Sequence, residues 1–193
     1  MPLDYTQIGH VSNLRGKLEK FKAMGNNTKK NGFCYEKFLE GKKQNDIAGK
    51  IVNVCGVCYS HASMDSYMKN LPLSLDKNEI LAEKVLNDNE IKQFHFLQSF
   101  FRFNHHGELL TESVDDNGVI VKRFPKFNMI ENYCKIAEYN PHCTFALWTK
   151  RSDIIKKFFD KRDKPENLII VFSNTKVDKI VYKIPKHFDK VFN

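Results

Sequence analysis

The chain has 193 residues, with 31 Lys+Arg against 23 Asp+Glu for a formal charge of +8. That length is ample for one domain with its own core, and 41% hydrophobic with 28% charged residues excludes wholesale disorder and collagen-like repeats. No apolar run approaches the roughly 20 residues of a membrane helix. The opening MPLDYTQIGH has neither the basic nor the apolar region of a secretory signal, and five cysteines, an odd count, argue against a disulfide framework. A reducing cytoplasm is the expected location.

Charge is unevenly spread. Residues 1–43 hold nine Lys/Arg and four Asp/Glu, residues 44–149 ten and thirteen, and residues 150–193 twelve and six. Basic ends around a mildly acidic middle permit a phosphate-bearing partner, although Lys-rich, Asn-rich and Phe-rich composition also follows from an AT-rich genome.

In chain order, Leu14, Leu18 and Phe21 recur at helical spacing before Met24-Gly25-Asn26-Asn27 breaks the pattern. Glycines then punctuate an irregular stretch to residue 50. Lys50-Ile51-Val52-Asn53-Val54 reads as a first strand, ending at Cys55-Gly56-Val57-Cys58. Asp76 and Glu79 have capping-box spacing ahead of Ile80, Leu81, Val85 and Leu86. Ser99-Phe100-Phe101-Arg102-Phe103 is a second strand. An inserted hairpin follows over 112–124, turning at Asp115-Asp116-Asn117-Gly118. A helix capped by Asn128 carries Ile130, Tyr133, Cys134 and Ala137 on its core face and stops at Asn140-Pro141. Cys143 to Trp148 is a third strand, Ser152 caps a helix with Ile155, Phe158 and Phe159, and Leu168 to Phe172 is a continuous apolar strand. Ile180, Tyr182 and Ile184 alternate as a final half-exposed strand before a short terminal helix.

The order β-α-β-α-β-α-β predicts one α/β domain over residues 1–193: an irregular segment 1–50, a β/α core 51–178, and the terminal strand and helix over 179–193. The sheet is expected to be mainly parallel with a β-hairpin inserted after its second strand, either a partial (β/α) barrel or a small open sheet. Polar residues follow each strand: Cys55/Cys58, His105/His106/Glu108, Thr149/Lys150/Arg151 and Ser173/Asn174/Thr175. In parallel folds that rim is the active face.

Three cysteines sit in loop-like sequence. Cys55-x-x-Cys58 places two thiols on a turn that Gly56 lets close, and Cys34 in Gly32-Phe33-Cys34 supplies a third. Three thiolates suit an iron–sulfur cluster with one open iron, or zinc with a further ligand, for which His61 is a candidate. Cys134 and Cys143 have apolar surroundings and read as packing residues. His105 is a proton carrier or ligand candidate, Glu108 a base or ammonium acceptor, and Lys150 an anion partner. GxGxxG, P-loop and HExxH motifs are absent, and no HxE precedes a PCxxC.

Asn26-Asn27-Thr28 ahead of Cys34, Val-Cys-Gly-Val-Cys-Tyr-Ser, Phe-Arg-Phe-Asn-His-His-Gly-Glu, Asn140-Pro141-His142 ahead of Phe145-Ala146-Leu147-Trp148-Thr149-Lys150, and Lys164 to Leu168 occur in one order over residues 26–175. In this the chain resembles small phage-associated proteins of a "gene product" family, similar in turn to abbreviated radical S-adenosylmethionine proteins. The resemblance implies a partial (β/α) barrel, an iron–sulfur site on Cys34, Cys55 and Cys58, and Gly107, Glu108 and Asn174 near a cofactor, S-adenosylmethionine. It departs in spacing: twenty residues separate Cys34 from Cys55, where such enzymes have CxxxCxxC, and His106 stands where a first glycine would be. The expectation is a phage-type metal-binding protein of the host cytoplasm, a minimal radical enzyme. The alternative is a non-catalytic binding protein acting on nucleic acid or a protein–nucleic acid complex, with zinc or no metal as a clip. Neither reading involves a membrane, and neither fixes an oligomeric state.

Overall fold

The computed structural model describes residues 8–14, 19–65 and 70–192. Its elements are β1 (Ser12–Asn13), β2 (Lys22–Met24), α1 (Gly32–Ala48), a 3-10 turn (Val54–Val57), α2 (Tyr59–Ser63), α3 (Leu71–Asp76), α4 (Ile80–Glu83), α5 (Asp88–Ile91), β3 (Phe100–Phe103), β4 (Glu112–Val114), β5 (Ile120–Arg123), α6 (Asn128–Tyr139), β6 (Thr144–Thr149), α7 (Ser152–Phe159), β7 (Leu168–Ser173) and β8 (Lys190–Phe192). Six strands form one sheet in the order β1-β2-β3-β6-β7-β8, and β4 with β5 form a separate antiparallel pair. Only β1 runs antiparallel to its neighbour in the large sheet.

From β2 to β8 spatial order follows chain order, so right-handed crossovers send successive helices to the same face. On that face Phe101, Phe103, Phe145, Leu147, Leu168 and Ile170 are fully buried against Leu81, Tyr133, Ile154 and Ile155 from α4, α6 and α7. Each such side chain contributes about 1.5–3 kcal/mol when removed from water. Phe103 stacks on Tyr133 at 4.0 Å and on Phe145 at 5.2 Å. Side chains alternate along a strand, so the register that pairs Arg102 with Ala146 and Trp148 with Val171 sets these four on the other face.

The mainly parallel sheet, the inserted hairpin and the helix–strand–helix–strand run over 128–173 match the sequence reading. Gly118, at φ 79°, makes the hairpin turn, and the Asp115 carboxylate accepts from Asn117 N and Val119 N. β1 and β8 lie at the two ends of the strand order.

Several elements differ from expectation. Residues 50–54 are not a strand: Asn45 clamps Val52 and Asn53 through three side-chain bonds, and Ile51 and Val54 are 53% and 41% exposed, so the segment has no apolar face to bury. The parallel sheet begins instead at β2, in the stretch expected to be irregular, and α1 fills the whole of 32–48. Of the helix expected around Leu14, Leu18 and Phe21, residue 18 lies outside the described residues, while Leu14 N donates to Phe21 O across the β1–β2 pair. Asp76 ends α3 rather than capping a helix, since its carboxylate takes Asn27 Nδ2 and Lys30 Nζ. The capping box is at Asn87 and Glu90. Asn128 caps nothing, because its amide bonds Ala82 O and Glu83 O. Ile180, Tyr182 and Ile184 are exposed coil, and the last strand is β8, where a helix was expected.

Candidate functional site

The carboxyl ends of β2, β3, β6 and β7 converge on a cavity of about 630 Å³. Its thiol side is built from α1 and the 3-10 turn. Asn31 caps α1 by accepting from Cys34 N at 3.1 Å, which sets Cys34 in the first helical turn rather than in a loop. Asn53 accepts from Cys55 N at 2.9 Å and so starts the turn that ends at Cys58. Gly41 and Gly56 bring the two segments together, since a Cβ on Gly41 would lie 2.4 Å from Gly56 N. Cys34, Cys55 and Cys58 all line the cavity. Burial pushes the Cys34 thiol well up, Glu108 adding to this and Lys150 opposing it, and burial also raises Cys55. His61 lines the cavity as well, stacked flat on Phe38 at 3.7 Å, its buried Nε2 without a partner among the described residues.

The opposite wall is the turn after β3. Gly107 has φ 71°, and a Cβ there would fall 2.1 Å from Asn26 Oδ1, so close approach of the Asn26 amide requires glycine. That approach fixes Glu108: its backbone carbonyl accepts from Asn26 Nδ2 at 2.7 Å and Asn31 Nδ2 at 2.9 Å. Its carboxylate, 7% exposed, accepts from Thr149 Oγ1 at 2.6 Å, Lys150 N at 3.1 Å and Lys150 Nζ at 3.3 Å. Burial works against the Lys150 ammonium, yet Glu108 and the nearby thiols leave its pKa raised. Asn31 thus joins the cap of Cys34 to the carbonyl of Glu108 through one side chain.

His105 and His106 are both neutral near pH 7, pushed down to about 3 and about 4 by burial. His106 Nδ1 bonds Ser60 Oγ at 2.7 Å, and Tyr59 OH donates to His105 O at 2.6 Å. Asn174 donates to Lys176 O and Lys179 O, holding the loop after β7 against the cavity. Cys134 and Cys143 lie elsewhere, fully buried, with thiols raised to about 12 and about 11 by burial.

The structure therefore brings Cys34, Cys55, Cys58, His105, Gly107, Glu108, Lys150 and Asn174 to one cavity. Among the described residues no three His, Cys, Asp or Glu side chains are grouped to hold a single metal ion. Sequence reasoning gave no site role to Asn26, Asn31 or Arg102, and named Thr149 only as part of the polar rim. An Asn before Gly32 is a legible cap signal, whereas the Asn26–Gly107 contact has no local signature.

A family model described as Gene product 88 matches residues 27–191. No curated protein and no solved structure matches the chain.

Proposed function

The chain belongs to the Gene product 88 family, a phage-type gene-product family, and we propose that its cavity is a metal centre in which Cys34, Cys55 and Cys58 hold an iron–sulfur cluster. One observation carries the reading: three thiols from two separate segments line the same cavity, at the strand ends of a parallel sheet. The donor set suits a cluster better than a lone ion. Zinc needs every ligand about 2.0–2.3 Å from one point, and no such grouping exists among the described residues. A cluster spreads its thiolates across several irons, so each sulfur bonds its own iron and the three need not converge on one point. Three protein ligands leave one iron free, and such a cluster supplies one-electron reduction of whatever is bound beside it.

The chain's own residues would do the rest. Lys150 sets a cation beside Cys34 and Cys55 that partly offsets the burial raising both thiols. Glu108 anchors Lys150 and, through Asn31, the start of α1. S-adenosylmethionine is the co-substrate that the family resemblance suggests, and its amine would have to share the Glu108 carboxylate with Thr149 and Lys150.

The test is anaerobic reconstitution with ferrous iron and sulfide, followed by metal and sulfide analysis and electron paramagnetic resonance. Iron with sulfide in the wild type, lost in Cys34→Ala, Cys55→Ala and Cys58→Ala and kept in Cys134→Ala and Cys143→Ala, is the expected pattern. Zinc without sulfide would replace the cluster by a clip, and a triple Cys34/Cys55/Cys58→Ala variant with the parent's metal content would end the proposal.

A further inference from the structure

One part of the cavity wall is aromatic and cationic. Arg102 on β3 and Trp148 on β6 share one sheet face, with the guanidinium 4.6 Å from the indole centroid, and Phe192 of β8 lies 4.9 Å from that ring. All three line the cavity. Arg151 and Arg162 have carboxylate partners. Arg102 has none among the described residues, and its Nε is buried without a hydrogen-bond partner. A partly buried guanidinium stacked on an aromatic ring, with Tyr59 nearby and no carboxylate beside it among the described residues, is a costly arrangement unless something anionic completes it. The lining as a whole also has an excess of positive charge. Lys37, Arg102, Lys150 and Lys176 face Glu108 and Asp178, and Glu108 is already engaged by Lys150 and Thr149.

Backbone strain concentrates at the same place. Asn104, next but one to Arg102, has φ 53°, and its Oδ1 accepts from Tyr133 OH while its buried Nδ2 has no partner among the described residues. Incomplete hydrogen bonding and a left-handed non-glycine residue beside a cavity mark a place that a ligand completes.

We propose that this half of the cavity binds a nucleotide, with its phosphate on the Arg102 fork and its base against the Trp148–Phe192 pair. A guanidinium matches phosphate bidentately, an aromatic wall takes any nucleobase by stacking, and the cavity volume lies within the roughly 300–1,000 Å³ of small-ligand sites. The nucleotide comes either free or as one unit of a single-stranded nucleic acid, and the chemistry at Arg102 and Trp148 is the same. The site shares the cavity with the proposed metal centre but needs none of its thiols.

Trp148 is the only tryptophan, so its fluorescence reports on this wall alone. The full chain is titrated with UMP, AMP, uridine, inorganic phosphate and an oligothymidylate, with calorimetry in parallel. Saturable quenching by UMP or AMP is expected, with uridine and phosphate at least about tenfold weaker. Arg102→Gln should weaken the nucleotide about tenfold or more and Arg102→Lys by less. Lys176→Gln, on an exposed loop, is the second probe should Arg102→Gln fail to fold, and an affinity loss of about threefold or more is expected. An oligothymidylate that binds tighter than UMP, with affinity falling steeply as salt rises, identifies nucleic acid as the source; equal or weaker binding identifies the free nucleotide. The Cys55→Ala/Cys58→Ala variant should bind nucleotide like the parent, which separates this site from the fate of the metal proposal. No saturable response to any nucleotide or to the oligothymidylate, or equal affinity in folded Arg102→Gln, overturns the inference.

Discussion

Gly41 of α1 and Gly56 of the Cys55–Cys58 turn meet backbone to backbone, and a Cβ on either would lie within 2.6 Å of the other segment. Together with the Asn45 clamp on Val52 and Asn53, this contact sets where Cys34 stands relative to Cys55 and Cys58, because the only covalent tie between α1 and the turn is the short link 49–53. Gly41 is buried inside a helix, where glycine costs about 1 kcal/mol against alanine, so the approach outweighs the propensity.

Gly41→Ala should therefore destabilise despite its better helix propensity. The added methyl meets backbone, which cannot swing away, and overpacking of this kind costs about 1–3 kcal/mol. Urea denaturation measures the loss, and iron content after reconstitution should fall with it. A Gly41→Ala protein as stable as the parent would show that the two segments part freely. Gly49→Ala is a poor control, since φ there is 62°, whereas Ala48→Gly at the exposed end of α1 should leave iron content unchanged.

Glu108→Gln keeps the shape and removes the charge from a carboxylate that holds Thr149, Lys150 N and Lys150 Nζ. Hydrogen bonds to charged groups contribute about 1.5–3 kcal/mol, and the partly buried Lys150 would be left without its counter-ion. A loss of about 2–4 kcal/mol in chemical denaturation is expected. Glu108→Gln with Lys150→Met should recover part of that loss, because the pair then goes together. If the double variant is no more stable than Glu108→Gln, the Lys150 charge is not what the carboxylate is there to balance.

Legibility in the sequence followed how local each cause is. The Leu168–Phe172 run, the Asn-Gly turn and the 130/133/134/137 stripe state their structure within ten residues, and each is present. α1 was illegible because its apolar residues do not gather on one face and its buried positions are glycines, Gly32 and Gly41. The strand expected at 50–54 failed on exposure, which no β-propensity encodes. Three of the four rim clusters were legible, since polar residues after strands are a topological consequence of a parallel sheet; Cys55 and Cys58 reach the rim from a 3-10 turn instead of a strand end. The Asn26–Gly107–Glu108 contact was not, because it joins residues more than 80 apart.

Asparagine, readable in the sequence as a bias of composition, is a structural staple. Asn140, fully buried, donates to Phe94 O and Ile136 O and accepts from Phe96 N, so it ties the end of α6 to the segment leading into β3. Asn132 does the same for Leu81, Lys84 and Leu86. Asn140→Ala removes three bonds and strands two buried carbonyls and an amide. At about 1–3 kcal/mol for each unsatisfied group, the loss should be at least about 3 kcal/mol, a large share of the 5–15 kcal/mol typical of a domain. Asn174→Ala, which loses two exposed loop bonds, should cost under about 1 kcal/mol. Equal losses in thermal or urea unfolding would refute the stapling role.

Acid should destabilise the fold well above the range in which carboxylates protonate. His105 and His106 are pushed down to about 3 and about 4, first by burial and then by neighbouring positive charge: His106 and Arg102 for His105, Arg102 for His106. His10 and His61 are lowered in the same direction by burial. In the unfolded chain each titrates near 6.5. Below that pH the unfolded state binds protons that the native state refuses, so stability is complete above about 6.5 and falls as pH drops toward 4. The slope is about 1.4 kcal/mol per pH unit for each fully protonating histidine. His106→Gln can keep a bond to Ser60 Oγ and cannot titrate, so it should remove about one proton from the slope between pH 6.5 and 4. Urea midpoints at half-unit intervals of pH measure this directly. A His106→Gln slope matching the wild type would mean that His106 takes up its proton in the native state and is not held neutral by its surroundings.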